Sequence, residues 1–198
     1  IIFVHLNMIL IILCKQLDGY VASEDMEGLK VFYKDLLKDC QSVNNLASLN
    51  PNTINNPSIF SILASKYHKA DSENITINLE VFLDLNQLKI TTYEFTRILG
   101  ILLDNSIEAA RECDKKIINV VFRMDAKNHR QLVIIENTYS NKDVDTSKIF
   151  EKAYTTKKHN TGLGLWEVNK ILNKHTNLSL FTTKNDEFFT QQLEIYIN

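Results

Sequence analysis

Residues 102–110 read Leu-Leu-Asp-Asn-Ser-Ile-Glu-Ala-Ala, which places polar side chains inside a strongly apolar stretch. The apolar residues around them recur at helical spacing, so we predict a helix from Tyr93 to Ala110. Asp104, Asn105 and Glu108 share one face of it, because residues three and four positions apart are neighbours. Oxygen donors of this kind suit Mg²⁺. The alternative is a solvated polar stripe on an otherwise buried helix.

A second segment, Gly162-Leu163-Gly164-Leu165, holds two of the five glycines of the chain and opens a helix predicted from Gly162 to Lys174. Glycine lets the backbone approach phosphate oxygens closely, and the free N–H groups of a first helical turn bind anions. The pattern therefore indicates a phosphate-binding helix start. The alternative is a plain turn before a helix.

The loop Ile149–Asn160 precedes these glycines and carries Lys152, Lys157 and Lys158 in a chain whose formal net charge is −2. A polar, cationic loop that leads into a phosphate-binding helix is suited to close over bound phosphates. The alternative is an ordinary solvated loop.

The remaining patterns predict an α+β fold: a two-layer α/β sandwich in which helices cover one face of a mixed sheet. Besides the two helices above, the predicted elements are a helix at Ile59–Ser72 and strands at Ile75–Leu83, Lys116–Met124, Gln131–Asn137, Leu178–Lys184 and Phe188–Ile197.

Upstream of the sandwich, two amphipathic stretches around a polar turn at Ser23–Asp25 predict a helical hairpin. A lone hairpin cannot cover both apolar faces, so we expect it to pair with a second copy as a four-helix bundle. An Asn-rich segment with both prolines follows. The predicted domains are a hairpin at 1–50, a linker at 51–58 and the α/β sandwich at 59–198.

The bulk composition excludes some functions. A net charge of −2 provides no global attraction for nucleic acid. The three cysteines are far apart, as expected of reduced thiols. The chain begins without Met, so we expect a fragment, with any membrane segment upstream of Ile1.

With these segments in this order, the chain resembles the GHKL ATPase superfamily, in its histidine-kinase branch. Asn105 falls at the N-box asparagine, which binds Mg²⁺ in the family, and Gly162 and Gly164 fall at the second glycine box. Leu-Asp-Asn-Ser-Ile-Glu-Ala-Ala, Ile-Glu-Asn, Tyr-Thr-Thr-Lys and Gly-Leu-Gly-Leu are similar to motifs of the peptide-pheromone receptor kinases of Gram-positive bacteria, which include accessory-gene-regulator and competence-peptide sensors. The resemblance covers about residues 59–198.

The resemblance implies a Bergerat-type ATP-binding fold and a histidine autokinase that uses ATP and Mg²⁺ and donates phosphate to a response regulator. It further implies a homodimer formed through the hairpin, on the cytoplasmic side of a membrane-anchored sensor whose absent membrane domain receives the pheromone. The implied ligand-binding residues are Asn105 (the metal ligand), Glu108, Asn137, Lys157, Gly162, Leu163 and Gly164.

The chain departs from the family at two places. The first glycine box is replaced by Ile135-Glu136-Asn137-Thr138, where Asn137 would contact the adenine; an amide can both donate to and accept from its edge. The phospho-acceptor segment is Phe3-Val4-His5, without the usual Arg and Asp beside the histidine. His5 is the candidate acceptor, and the alternative is an ordinary helix histidine.

Three other functions stay open. A hydrolytic ATPase of the superfamily needs a general base one helical turn before Asn105, where Ile101 cannot accept a proton. A binding module without kinase activity would serve as a phosphatase or scaffold. A serine/threonine kinase of the anti-sigma type shares the fold, but the upstream hairpin argues against it.

Overall fold

The computed structural model describes residues 15–40, 49, 53–152 and 162–197. The chain divides into two compact units, Ile1–Asn44 and Asn45–Asn198. Within the described ranges, no helix combines the length and the apolar character that crossing a bilayer requires.

The first unit contains two described helices, α1 at residues 15–22 and α2 at Met26–Cys40. Asp25 caps α2, because its side chain accepts a hydrogen bond from the N–H of Gly28 at 2.9 Å. The rings of Tyr20 and Phe32 lie 5.5 Å apart and join the two helices. The role of this unit in dimerisation stays a prediction.

The second unit contains three longer helices and a short 3-10 helix at Leu85–Gln87. The longer helices are α3 at Pro57–Ser72, α4 at Thr92–Arg111 and α5 at Gly164–Leu172. These bounds differ by at most two residues from those that the sequence predicts.

Five strands form one sheet in the spatial order β1-β2-β3-β5-β4. Their bounds are β1 Thr76–Val81, β2 Ile117–Asp125, β3 Arg130–Thr138, β4 Leu178–Lys184 and β5 Phe188–Tyr196. The β1–β2 pair is parallel and the other pairs are antiparallel. Parallel neighbours need a crossover connection, which α4 supplies here.

All three helices pack on one face of this sheet. Alternate strand residues, such as Val133, Ile135, Leu193 and Ile195, join the buried core with the apolar face of α4. The predicted two-layer sandwich of helices on a mixed sheet is therefore confirmed.

The opposite face of the sheet carries a buried ion pair. Arg130 of β3 donates to Glu194 of β5 and also to Asp125, at 2.8 Å. The side chain of Glu194 is only 3% exposed. Tyr196 and Gln192 donate to the same carboxylate, at 2.7 Å each, so the buried charge is well paired.

The end of the predicted linker belongs to the second unit. Asn56 caps α3 by accepting hydrogen bonds from the N–H groups of Ser58 and Ile59. Asn55 donates to Asp84 at 2.7 Å, and Asp84 caps the 3-10 helix. Asparagine in a polar stretch thus serves here as a helix cap.

Candidate functional site

The candidate site is built on α4, which is held by an N-terminal cap and by apolar side chains buried against the sheet. Its N-terminus is capped by the Thr91 hydroxyl, which accepts from the N–H of Glu94 at 3.3 Å. Leu102, Leu103 and Ile107 are buried against the sheet. Asp104, Asn105 and Glu108 are therefore left half-buried at the border of the core.

Asp104 is occupied by neighbouring lysines. Its two carboxylate oxygens accept hydrogen bonds from Lys66 at 2.7 Å and from Lys69 at 2.8 Å, both on α3. Partial burial opposes the ionisation of Asp104, but the two lysines outweigh it and hold its pKa below the ordinary value. Asp104 thus joins α3 to α4, and its oxygens are not available for a cation.

Asn105 differs from its neighbour, because the described residues offer its carboxamide no hydrogen-bond partner. It lies half-buried one residue after Asp104, and Glu108 follows three residues later on the same side of the helix. Within the described part of the chain, no cluster of three His, Cys, Asp or Glu side chains could hold a metal ion. Mg²⁺ commonly takes one or two protein ligands and completes its shell with phosphates and water, so a single carboxamide oxygen fits it.

The helix start of α5 lies against α4 one turn before Asn105. A β-carbon at Gly164 would be 3.2 Å from Cγ2 of Ile101. One turn earlier in α4 and one turn later in α5, Arg97 contacts Glu167 at 2.5 Å. The two helices are therefore antiparallel, and the first turn of α5 points toward the half of α4 that carries Asn105.

Glycine is required at positions 162 and 164 for different structural reasons. Gly162 adopts a φ of 63°, a left-handed conformation that strains other residues. Gly164 permits the close approach to Ile101. Leu163, between them, is the N-cap residue of the nine-residue α5 and makes no side-chain capping hydrogen bond. The first N–H groups of α5 have no side-chain cap in the described residues, as an anion-binding helix start requires.

Asn137 stands at the end of β3 and is 3% exposed. Its Nδ2 donates to the carbonyl of Thr138 at 2.8 Å. Among the described residues no donor reaches its Oδ1. The amide orientation therefore leaves an acceptor, the same polarity that an aspartate would present.

Two predicted site residues, His5 and Lys157, lie outside the described residues, and their assignments stay predictions. Lys152, at the near end of the lysine-rich loop, is described, and its Nζ lies 5.2 Å from the ring centroid of Trp166 on α5. Of the predicted site residues that the structure describes, Gly164 thus packs on α4 one turn before Asn105, Gly162 and Leu163 directly precede Gly164, and Glu108 follows Asn105 on α4.

Sequence reasoning missed the two lysines that bind Asp104. Lys66 and Lys69 are three residues apart on the helix predicted at Ile59–Ser72, so they share one face of it. This spacing was the feature of the sequence that could have indicated a shared partner. Their partner, however, lies on another helix, and one sequence does not show which helices pack together.

The chain belongs to the GHKL domain family. Residues 90–196, more than half of the chain, match that family. No curated protein matches the chain closely enough to count as a relative.

Three solved histidine kinase structures share the fold. The nucleotide-free catalytic domain of ThkA has a TM-score of 0.58 and 22% identity, over 70% of this chain and 90% of its own. Full-length ShkA in complex with AMPPNP has a TM-score of 0.56 and 14% identity, over 70% of this chain and 29% of its own. Acinetobacter baumannii AdeS has a TM-score of 0.55 and 16% identity, over 85% of both chains. At these identities the similarity establishes the fold of a histidine kinase catalytic domain.

Proposed function

We propose that this chain is a histidine autokinase that binds ATP with Mg²⁺ and transfers the γ-phosphate to a histidine. One observation carries the proposal: the carboxamide of Asn105, which has no hydrogen-bond partner among the described residues, lies one turn of α4 after Ile101, and the glycine-containing start of α5 packs against Ile101. A cation ligand next to an anion-binding helix start is suited to a metal–phosphate complex. ShkA, which shares the fold, is described in complex with the ATP analogue AMPPNP.

Each residue then has a defined task. Asn105 would ligate Mg²⁺, with Glu108 placed to bind one of its waters. The amides at Gly162, Leu163 and Gly164, together with Lys157, would bind phosphate oxygens, and the Oδ1 of Asn137 would accept from the adenine amino group. When bound, Mg²⁺ neutralises charge on the phosphate oxygens.

The nucleophile in this proposal is a neutral imidazole nitrogen of His5. The imidazole nitrogen forms a bond to the γ-phosphorus while the bond between the γ-phosphorus and the bridging oxygen breaks, and ADP leaves. The imidazole proton passes to solvent, because the acid that usually accepts it is absent from the segment. The product, phosphohistidine, would donate its phosphoryl group to a response-regulator aspartate.

Hydrolysis of ATP is disfavoured by Ile101, which occupies the position where hydrolytic relatives need a general base. The structure supports this argument, because Ile101 packs against Gly164 and carries no group that could activate water. A high, sustained ATPase rate of the chain would contradict it.

The narrower assignment to the pheromone-receptor kinases rests on the sequence motifs. We propose that the hairpin unit forms the homodimer and that the chain is the cytoplasmic part of a membrane-anchored bacterial sensor. Its pheromone would bind the membrane domain outside this chain.

Titration calorimetry with Mg²⁺-ATP tests the binding step. Asn105→Ala should weaken binding by at least about 1.4 kcal/mol, one decade in affinity. A loss of less than half that value would remove the metal-binding role. Asn128→Ala, in the β2–β3 turn, is a matched control far along the sheet from Asn137 and should bind as the wild type does.

Labelling of the full chain with γ-³²P-ATP tests the transfer step. Acid-labile, base-stable label that disappears in His5→Ala supports His5 as the acceptor. Unchanged labelling would exclude His5. ATP binding without any phosphohistidine would favour the phosphatase or scaffold function instead.

A further inference from the structure

The loop that leads from β3 to the lysine-rich loop is fixed to the turn between β4 and β5. This β3 loop, residues 139–148, contains neither helix nor strand, so its carbonyl groups need partners outside a regular ladder. Lys184 is the last residue of β4, and its Nζ donates to the carbonyl oxygens of Lys142 and Val144, at 2.7 and 2.8 Å. An ammonium group has three N–H donors, so one lysine can bind two carbonyl groups at once.

Lys142 makes the reciprocal contact, from the loop to the turn. Its Nζ donates to the carbonyl oxygens of Tyr139 and Asp186, at 3.0 and 2.6 Å. The same ammonium group lies 3.7 Å from the ring centroid of Tyr139, within the range of a cation–π contact. Hydrogen bonds from a charged donor are shorter and stronger than neutral ones. Lys142 and Lys184, called the lysine clamp from here on, therefore join the two segments in both directions.

Tyr139 adds a buried contact between the same two segments. It is 8% exposed, and its ring packs on Phe189 of β5 with the centroids 5.9 Å apart. Its hydroxyl donates to the carbonyl oxygen of Asn185 at 2.6 Å. Burial, with a smaller contribution from Asp186, raises the pKa of Tyr139, so the hydroxyl keeps its proton at neutral pH and can donate. The start of the β3 loop is thus fixed to the turn by one buried side chain and two exposed ones.

The other end of the β3 loop continues into the lysine-rich loop, whose described part is also held in place. Ile149 is 5% exposed, and Lys152 lies 5.2 Å from the ring centroid of Trp166 on α5. Lys157, the proposed phosphate ligand, follows five residues after Lys152 along the chain. The position of the β3 loop therefore affects where the segment that carries Lys157 begins.

We propose that Lys142 and Lys184 are positioning residues for the nucleotide site: the lysine clamp holds the β3 loop in one place before nucleotide binds and thereby raises the affinity for Mg²⁺-ATP. This inference rests on the proposed function. A segment that is already ordered in the free protein loses less conformational entropy when the ligand arrives, so binding is tighter. The clamp does not touch the nucleotide and acts through the lysine-rich loop.

A positioning role differs from a structural one in what a substitution changes. Lys142 and Lys184 are exposed residues, so the removal of one ammonium group should leave the melting temperature of the free protein nearly unchanged. Trp166 is the single tryptophan of the chain, and it contacts Lys152 in the segment that the clamp positions. The accessibility of Trp166 to the neutral quencher acrylamide therefore reports on this segment without any nucleotide.

The experiment uses the full chain with Lys184→Met, which removes the donors from a side chain of similar length, and Lys184→Arg, which keeps N–H donors. In the nucleotide-free protein, acrylamide should quench Trp166 more strongly in Lys184→Met than in the wild type, and Lys184→Arg should match the wild type. Calorimetry should show Mg²⁺-ATP binding that is about fivefold weaker for Lys184→Met and less than about twofold weaker for Lys184→Arg. Lys127→Met, at an exposed lysine of the β2–β3 turn, is the control and should resemble the wild type in both measurements.

Three results would overturn the inference: equal quenching of Trp166 in Lys184→Met and the wild type, unchanged Mg²⁺-ATP affinity of that variant, or failure of Lys184→Arg to restore both properties. A lower melting temperature of Lys184→Met with unchanged quenching would assign the lysine a structural role instead. A wild-type chain that does not bind Mg²⁺-ATP would refute the proposed function, and the inference about affinity with it. The quenching data, obtained without nucleotide, distinguish that failure from a clamp that does not hold the loop.

Discussion

Gly164, the first residue of α5, contacts Ile101 of α4 so closely that an added β-carbon would lie 3.2 Å from the Ile101 Cγ2 atom. This contact fixes the distance between the proposed anion-binding start of α5 and the helix that carries Asn105. Small changes in this distance should therefore change the affinity for nucleotide.

We expect Gly164→Ala to weaken Mg²⁺-ATP binding by about tenfold, since α5 must shift by a few tenths of an ångström. Thermal stability should change little, because the better helix propensity of alanine, about 1 kcal/mol, offsets the crowding. Calorimetry and thermal denaturation check the two quantities. In the double variant with Ile101→Ala, which removes the obstructing methyl, the effect of Gly164→Ala should shrink. Additive effects of the two substitutions would contradict this explanation.

The contact between Asp104 and the two lysines predicts an acid-sensitive domain. Because the pKa of Asp104 is lowered in the folded state, its stabilisation is complete above the unfolded value of about 3.9 and disappears as the pH falls through the lower folded value. Asp104→Asn should cost about 1 kcal/mol at pH 7, a value reduced by the partial exposure of the pair. The cost should shrink as the pH falls below about 3.9 and should disappear once the pH is below the pKa of Asp104 in the folded state.

Urea unfolding followed by fluorescence of Trp166, the single tryptophan, reports on the domain that contains Asp104. Asp143→Asn, at an exposed aspartate of the same domain, is the control and should show no such pH dependence. An Asp104→Asn deficit that is independent of pH would contradict the prediction.

Because Asn137 donates a hydrogen bond to the Thr138 carbonyl, its substitution by aspartate should lower stability while nearly preserving ATP affinity. Asn137→Asp keeps an acceptor for the adenine amino group, so ATP affinity should change by less than about threefold. The variant should lose about 1–3 kcal/mol of stability, because the carboxylate faces a carbonyl oxygen that has lost its donor. Asn137→Ala should instead lose about tenfold in affinity. Equal affinities of the two variants would argue against a base-binding role.

The ion pair on the outer face of the sheet should matter for stability alone. Arg130→Ala leaves the Glu194 carboxylate buried without its cation, which should lower the free energy of unfolding. Adding Glu194→Gln removes the buried charge and should recover part of that loss. Where either variant is folded, its ATP affinity should match that of the wild type, because the pair lies on the face opposite Asn137.

The sequence patterns predicted the strands and helices of the second unit well. Strand alternation and the apolar run before Asp104 are local signals, and the two glycines at 162 and 164 marked the start of α5. The layer arrangement followed from the order of these elements.

The sequence patterns could not predict contacts between segments that are distant along the chain. The stretch Thr190-Gln191-Gln192 reads as uniformly polar, yet Gln191 is buried and Gln192 binds Glu194 on the other face. Neither the burial of Gln191 nor the partner of Gln192 can be inferred without the register of β5 against β3 and β4. For the same reason the lysines that bind Asp104 were not found.

The parallel pairing of β1 with β2 affects when the proposed nucleotide site can form. Thr76 pairs with Ile117, and all of α4 lies between them along the chain. Closing such a long loop is entropically costly and slows folding. A nascent chain that ends ahead of Ile117 cannot hold Asn105 in its final place, so competence to bind nucleotide should arise late in synthesis, in a single step with sheet assembly.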